Sequence, residues 1–197
     1  PGGSRYADFA YVSHAVTPGK PKLENLPATY VEDDAEAETL TITLADKLTG
    51  AELDLSYTLY ADRPVLARNA RFVNRGERNL VIDAAMSANI DLPDARWRML
   101  DFTGAWGRER HLQERELKTG VQSIYSLRGH SSHQFNPFLI LKRPETTEDS
   151  GECFGVSLVY SGNFLGQVEV DNYHVTRVMM GIHPEGFAWR LGPGASF

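Results

Sequence analysis

"TLTITLADKLTGAELDLSYTLY", residues 39–60, decides the fold class. Thr39, Thr41 and Thr43 alternate with Leu40, Ile42 and Leu44, and beyond the turn residues "ADKLTG" the alternation resumes in Leu53, Leu55, Tyr57 and Leu59. A repeat of two is the period of a strand, whose successive side chains point to opposite faces. Two such segments around a short turn predict a β-hairpin, threonines outward and leucines inward. The same signature runs downstream through "VLARNARFV", "NLVIDAAMSANIDL", "FGVSLVY", "FLGQVEVD", "VTRVMMGI" and "FAWRL". Between them stand "NRGE", "SGN", "DNYH" and "HPEG", all turn chemistry. This spacing predicts an all-β sandwich of antiparallel sheets with little helix. "RERHLQERELK" alone offers a helical pair, Glu114 with Lys118, but with only Leu112 and Leu117 to bury it reads as extended or loop.

Composition sets the outer bounds. A chain of 197 residues that is 42% apolar can bury a full core without disulfides, and a single domain over 1–197 is expected. Twenty basic against 26 acidic side chains, net charge -6, argue against nucleic acid as a partner. No apolar run approaches the roughly 20 residues that span a bilayer, so no membrane partner is expected. Cys153 has no second cysteine to pair with, which fits a reducing cytoplasm. "PGGSRYADFAYVSH" carries the hairpin pair Gly2-Gly3 with no strand before it, which predicts a domain truncated at its N-terminal edge. "WRLGPGASF" reads as a domain boundary. The acidic run "YVEDDAEAE" lacks the ligand spacing of a calcium loop and reads as a solvated loop.

Candidate chemistry concentrates in residues 104–138. A retaining glycosidase needs two carboxyl groups about 5 to 5.5 Å apart, one neutral and one ionised. Asp91, Asp94, Glu109, Glu169 and Asp171 are available, but Arg108 and Arg110 flank Glu109, and Asp91 and Asp94 bracket a turn-forming Pro93. None is marked as a catalytic acid. Ser131, Ser132, His111 and His133 could furnish a triad, yet no nucleophile elbow accompanies them. His111, His130 and His133 lack the tight ligand pairs of a zinc site, so no metal and no cofactor is predicted. The stronger signal is Trp106 beside Arg108 and Arg110, followed by Ser131, Ser132, His133 and Asn136: a flat apolar ring with orienting donors, as on a sugar-facing or interface surface. Trp106, Arg108, Arg110, Ser132, His133 and Asn136 are therefore the candidate substrate-binding or interface residues. The competing reading buries Trp106 in the core and makes Asn136-Pro137 a turn.

"GKPKLENLPATYVEDDAEAETLTITL", "GAWGRERH", "SIYSLRGHSSHQFNPF", "GVSLVYSGNFLGQVEVD" and "RVMMGIHPEGFAWRLGPGASF", in this order, resemble the N-terminal domain of the bacterial α-galactosidases of glycoside hydrolase family 36. The resemblance implies a β-supersandwich of the galactose-mutarotase type, followed by a (β/α)₈ barrel and a small C-terminal β domain. It places both catalytic aspartates on the barrel, outside this chain, so the parent is a retaining glycosidase and the fragment is inactive. The implied partners are the parent's own catalytic barrel, neighbouring subunits of a homo-oligomer, and an α-galactoside such as melibiose or raffinose. His130 and Phe135 depart from the family pattern in "RGHSSHQFNPF", and Cys153 stands where the family tends to an apolar residue; the departures leave those positions without an assigned role. Two other classes remain open. One is an aldose epimerase with His133 as acid and a carboxylate base opposite; the other is a free-standing carbohydrate-binding module presenting Trp97, Trp106 or Trp189 as an aromatic platform. The Gly2-Gly3 pair favours the first reading over both.

Overall fold

The computed structural model describes residues 7–23 and 26–197; the Gly2-Gly3 turn expected from sequence lies outside them. The described residues form fourteen strands in order: β1 (Ala10–Pro18), β2 (Ala37–Asp46), β3 (Ala51–Tyr60), β4 (Leu66–Asn74), β5 (Leu80–Ile82), β6 (Ala88–Leu92) and β7 (Arg98–Ala105), then β8 (Arg108–Glu116), β9 (Gly120–Ser126), β10 (Phe135–Lys142), β11 (Cys153–Ser157), β12 (Phe164–Val170), β13 (Thr176–Ile182) and β14 (Trp189–Leu191). All pairings are antiparallel. Among the described residues the one helical element is a 3-10 turn at Asp34–Glu36, inside the acidic run. It is closed by a capping box in which Asp33 accepts from the Ala35 N–H and Glu36 from the Asp33 N–H.

The chain forms two compact units. One comprises the described residues up to Asp83 with Ala188–Phe197, and it is built on the meander β1-β2-β3-β4. The predicted hairpin is β2–β3, with Leu40 opposite Tyr57, Ile42 opposite Leu55 and Leu44 opposite Leu53. Its two faces differ from expectation. Thr39 is fully buried, while Leu40, Ile42 and Leu44 are half-buried. The threonine face tolerates burial because its hydroxyls pair across the strands: Thr39 with Thr58 at 2.7 Å and Thr43 with Asp54 at 2.8 Å, while Thr39 also donates to the Gly19 carbonyl. The outer edge of β4 is covered by the C-terminal residues, with Phe72 and Phe197 exchanging backbone bonds of 2.8 and 2.9 Å. Buried Asn74 ties in the small β5–β14 ribbon by donating to the carbonyls of Arg78 and Leu191.

The second unit, Ala84–Phe187, is a sandwich of two four-stranded sheets ordered β11-β10-β7-β8 and β6-β13-β12-β9. Met99, Leu139 and Leu141 from the first sheet share one core cluster with Ile124, Phe164, Val168, Val178 and Met180 from the second. Such interleaving of two inner faces is what makes a sandwich core. "RERHLQERELK" is extended, as the reading from sequence has it, and supplies β8. Strand β9 lies inside the stretch read only for its chemistry and β7 and β10 overlap its two ends; the three supply Met99, Ile124, Leu139 and Leu141 to this core.

Candidate functional site

The site is carried by the β7–β8 hairpin. Ala105 pairs with Arg108, leaving Trp106 and Gly107 as a two-residue turn. Gly107 takes φ 72°, a left-handed conformation that glycine adopts without steric cost. Its N–H donates to the Glu109 carboxylate at 3.0 Å. Trp106, at the tip, is 92% exposed, so the reading that buries it in the core does not hold. One turn of ladder further in, Thr103 pairs with His111, so Gly104 alone faces Glu109 and Arg110, and Arg110 takes φ 58°. This is a bulge, a device that bends a hairpin and re-aims its side chains.

Gly104 fixes where that hairpin sits. A Cβ there would stand 2.6 Å from the Arg108 carbonyl oxygen and 2.9 Å from that of His133. Its N–H donates to the Gln134 carbonyl at 3.3 Å. The hairpin bearing Trp106, Arg108 and Arg110 is thereby seated against the loop bearing Ser132 and His133. Ser132 is buried and accepts from the Gln134 N–H at 3.2 Å, whereas His133 is exposed. Asn136 is half-buried in β10, where the register shifts between the Phe135–Thr103 and Leu139–Asp101 pairs. Asn136-Pro137 is therefore a strand irregularity rather than a turn, which lets proline sit in a strand without breaking a regular ladder.

Beside the hairpin lies an open concavity of about 440 Å³ lined by Thr103, Tyr125, Arg128, Gln134 and Phe135, among others. The half-exposed Tyr125 ring stacks on Phe135 at 6.1 Å and meets the His183 ring edge-on at 5.8 Å. Sequence reasoning missed Tyr125, since nothing local distinguishes it from other strand tyrosines.

The acidic candidates are engaged structurally. Asp91 takes two bonds from Arg177, of 2.7 and 2.9 Å, and these hold its carboxyl below the usual carboxylate value. Asp94 is likewise held low, first by the Arg143 guanidinium at 2.7 Å and further by the Arg96 N–H. A general acid needs the opposite shift. Asp171 accepts from the N–H groups of Tyr173 and Val175 and closes a turn. A fully buried acid was also missed: Asp101 is paired with Arg115, and one of its oxygens has no hydrogen-bond partner. Its sequence signal is an acid interrupting the alternation of β7.

Of the tryptophans offered as an aromatic platform, Trp97, Trp106 or Trp189, the first is excluded. Trp97 is 2% exposed, donates its indole N–H to the Asp94 carbonyl at 3.1 Å and lies under the Arg143 guanidinium, 3.5 Å from the ring centroid. It is a core residue. Trp189 is half-exposed in the first unit and packs on Phe197 at 5.0 Å. Among the described residues no group of three or more His, Cys, Asp or Glu is arranged to hold a metal, and His130 engages the Ser131 carbonyl at 2.7 Å.

Comparison with known proteins bears on the whole chain. The model of the glycosyl hydrolase family 36 N-terminal domain matches residues 1–192. Alpha-galactosidase AgaA of Geobacillus stearothermophilus is 50% identical over 99% of this chain, and alpha-galactosidase Mel36A of Lactobacillus acidophilus is 39% identical over 100%. The crystal structure of the former superposes with a TM-score of 0.98 over the same 99%, and variants of it have been crystallised with raffinose and with stachyose. The chain spans about a quarter of these relatives, 27% of each.

Proposed function

The chain belongs to glycosyl hydrolase family 36, as its N-terminal domain, and from that premise we propose that it is the non-catalytic β domain of an α-galactosidase. The parent then acts as a retaining glycosidase on terminal α-galactosyl residues of melibiose- and raffinose-type oligosaccharides. The observation that carries the reading is the alignment of 99% of this chain with about a quarter of proteins named as α-galactosidases, one of which, AgaA, was crystallised as variants with raffinose and with stachyose. The acids agree with it: Asp91 and Asp94 are held ionised by arginines, and neither is prepared to protonate a leaving group.

The Trp106 hairpin supplies the domain's role. An indole 92% exposed at the tip of a hairpin, with Arg108 and Arg110 beside it, has the composition of an interface anchor rather than of solvated surface. We assign it to contact with the catalytic barrel or a neighbouring subunit of a homo-oligomer, at or near the rim of the sugar site. His133 and Asn136 supply hydrogen bonds around it, and Ser132 holds the loop. The parent belongs in the cytoplasm, where the exposed Cys153 thiol stays reduced.

The test is an assay with a nitrophenyl α-galactoside. The full-length parent turns it over and the isolated chain does not. Turnover by the isolated chain that disappears on replacing Glu109 or Asp91 would place the chemistry here and end the proposal.

A further inference from the structure

The sheet edges of this protein are not treated alike. β8 is an edge protected by charge, with Arg108, Glu109, Arg110, Glu114, Arg115 and Glu116 along it and a bulge at its tip. The edge of β4 is closed by the C-terminal residues. Among the described residues β1 has neither a charged side chain nor a covering segment. Its nine residues, AYVSHAVTP, include no acidic, lysine or arginine side chain, and every one of them is exposed. Tyr11, Val12 and Val16 are 62, 57 and 54% exposed. Among the described residues its one partner is β2, and its one irregularity is the extra residue between Tyr11 and Ser13. A long, uncharged, apolar edge of this kind is a template for another strand.

We propose that the outer edge of β1 is completed by a strand from the part of the parent polypeptide outside these residues. The register states what that strand must look like. Tyr11, His14 and Val16 lie opposite Leu44, Ile42 and Leu40, so one side of β1 continues the leucine stripe of the hairpin, while Ser13, Ala15 and Thr17 continue the threonine side. The incoming segment is accordingly about five or six residues long, apolar on the first side and small or hydroxylated on the second. The source follows from length. Relatives carrying this domain are nearly four times as long, the domain being 27% of each. A strand in the same polypeptide is presented at an effective concentration in the millimolar range, which outcompetes a second copy at ordinary protein concentrations.

The proposal rests on family membership and not on the role of Trp106. Amide hydrogen exchange on the full-length parent tests it, with hydrolysis of the nitrophenyl substrate by the same sample checking the functional reading separately. In an edge strand, alternate amides point away from the sheet and exchange freely. Across Ala10–Thr17 the expected result is protection at every amide, with the outward ones slowed by roughly a hundredfold or more, unchanged on tenfold dilution. Alternating fast and slow amides would show that β1 is a true edge and overturn the proposal. Protection that is lost on dilution would assign the edge to a second copy and overturn it equally.

Discussion

Trp97 and Trp106 bracket β7 and meet opposite environments. Trp97 is enclosed by Arg143, Phe154 and the Asp94 carbonyl, while Trp106 stands in solvent. Trp97→Ala is expected to cost the isolated chain about 3–5 kcal/mol, the usual range for a buried tryptophan. Trp106→Ala should stay within about 0.5 kcal/mol, as for surface positions. Urea denaturation of the two variants reads both. The neighbouring Asp94 adds a pH dependence of definite sign. Its carboxyl is held below the ordinary value by Arg143, so its stabilising effect is complete above the unfolded-state pKa, about 3.9, and is lost as pH falls through the lower folded value. Melting temperature should therefore drop on acidification below about pH 4, and Asp94→Asn should flatten that drop while lowering stability at neutral pH. An unchanged acid limb in the variant would contradict the assignment. Sequence named both tryptophans and Asp94 but could not sort them. Arg143 and Phe154, which enclose Trp97, are distant from it in sequence, and the same indole at position 106 meets no such groups.

Between residue and sheet, the elements divide by how cleanly they alternate. β2 and β3 are legible because apolar and polar residues alternate along most of their length, and β12 and β13 because short apolar-rich runs stand between turn residues. β7, β9 and β10 are not. Asp101 puts a charge where β7 faces the core, Gln122 and Ser123 dilute β9, and Pro137 sits within β10 at its irregular register. Each exception is tolerated for a tertiary reason: Asp101 is paired with Arg115, the Gln122 side chain bonds the Lys118 and Gly120 carbonyls, and the β10 irregularity frees Pro137 from the ladder. The candidate site was legible as composition, since residues 104–138 do hold both the hairpin and its supporting loop, but their contact through Gly104 was not. Gly104→Ala is expected to force the hairpin from that loop, with an overpacking cost of about 1–3 kcal/mol. Nuclear magnetic resonance shifts confined to residues 103–111 and 131–136 would show it. A variant as stable as the parent sequence, with those shifts unmoved, would show that the close approach is not structural.

At the scale of the whole molecule, the central claim is that this domain does no chemistry and meets the rest of its enzyme through the Trp106 hairpin. The two tryptophans of the second unit form an internal pair for testing it, one enclosed within the domain at 2% exposure and one bare at 92%. The resemblance to family 36 was readable from ordered segments of sequence, and the matching domain model over residues 1–192 bears it out. What the Trp106 surface meets was not readable, because a sequence names the residues of its own surface and not those of the partner. Hydroxyl-radical footprinting of the full-length parent beside the isolated chain measures the difference directly. In the isolated chain Trp106 should oxidise rapidly and Trp97 slowly. The account predicts that in the parent Trp106 slows to the rate of Trp97; a Trp106 that oxidises as fast in the parent as in the isolated chain would contradict it.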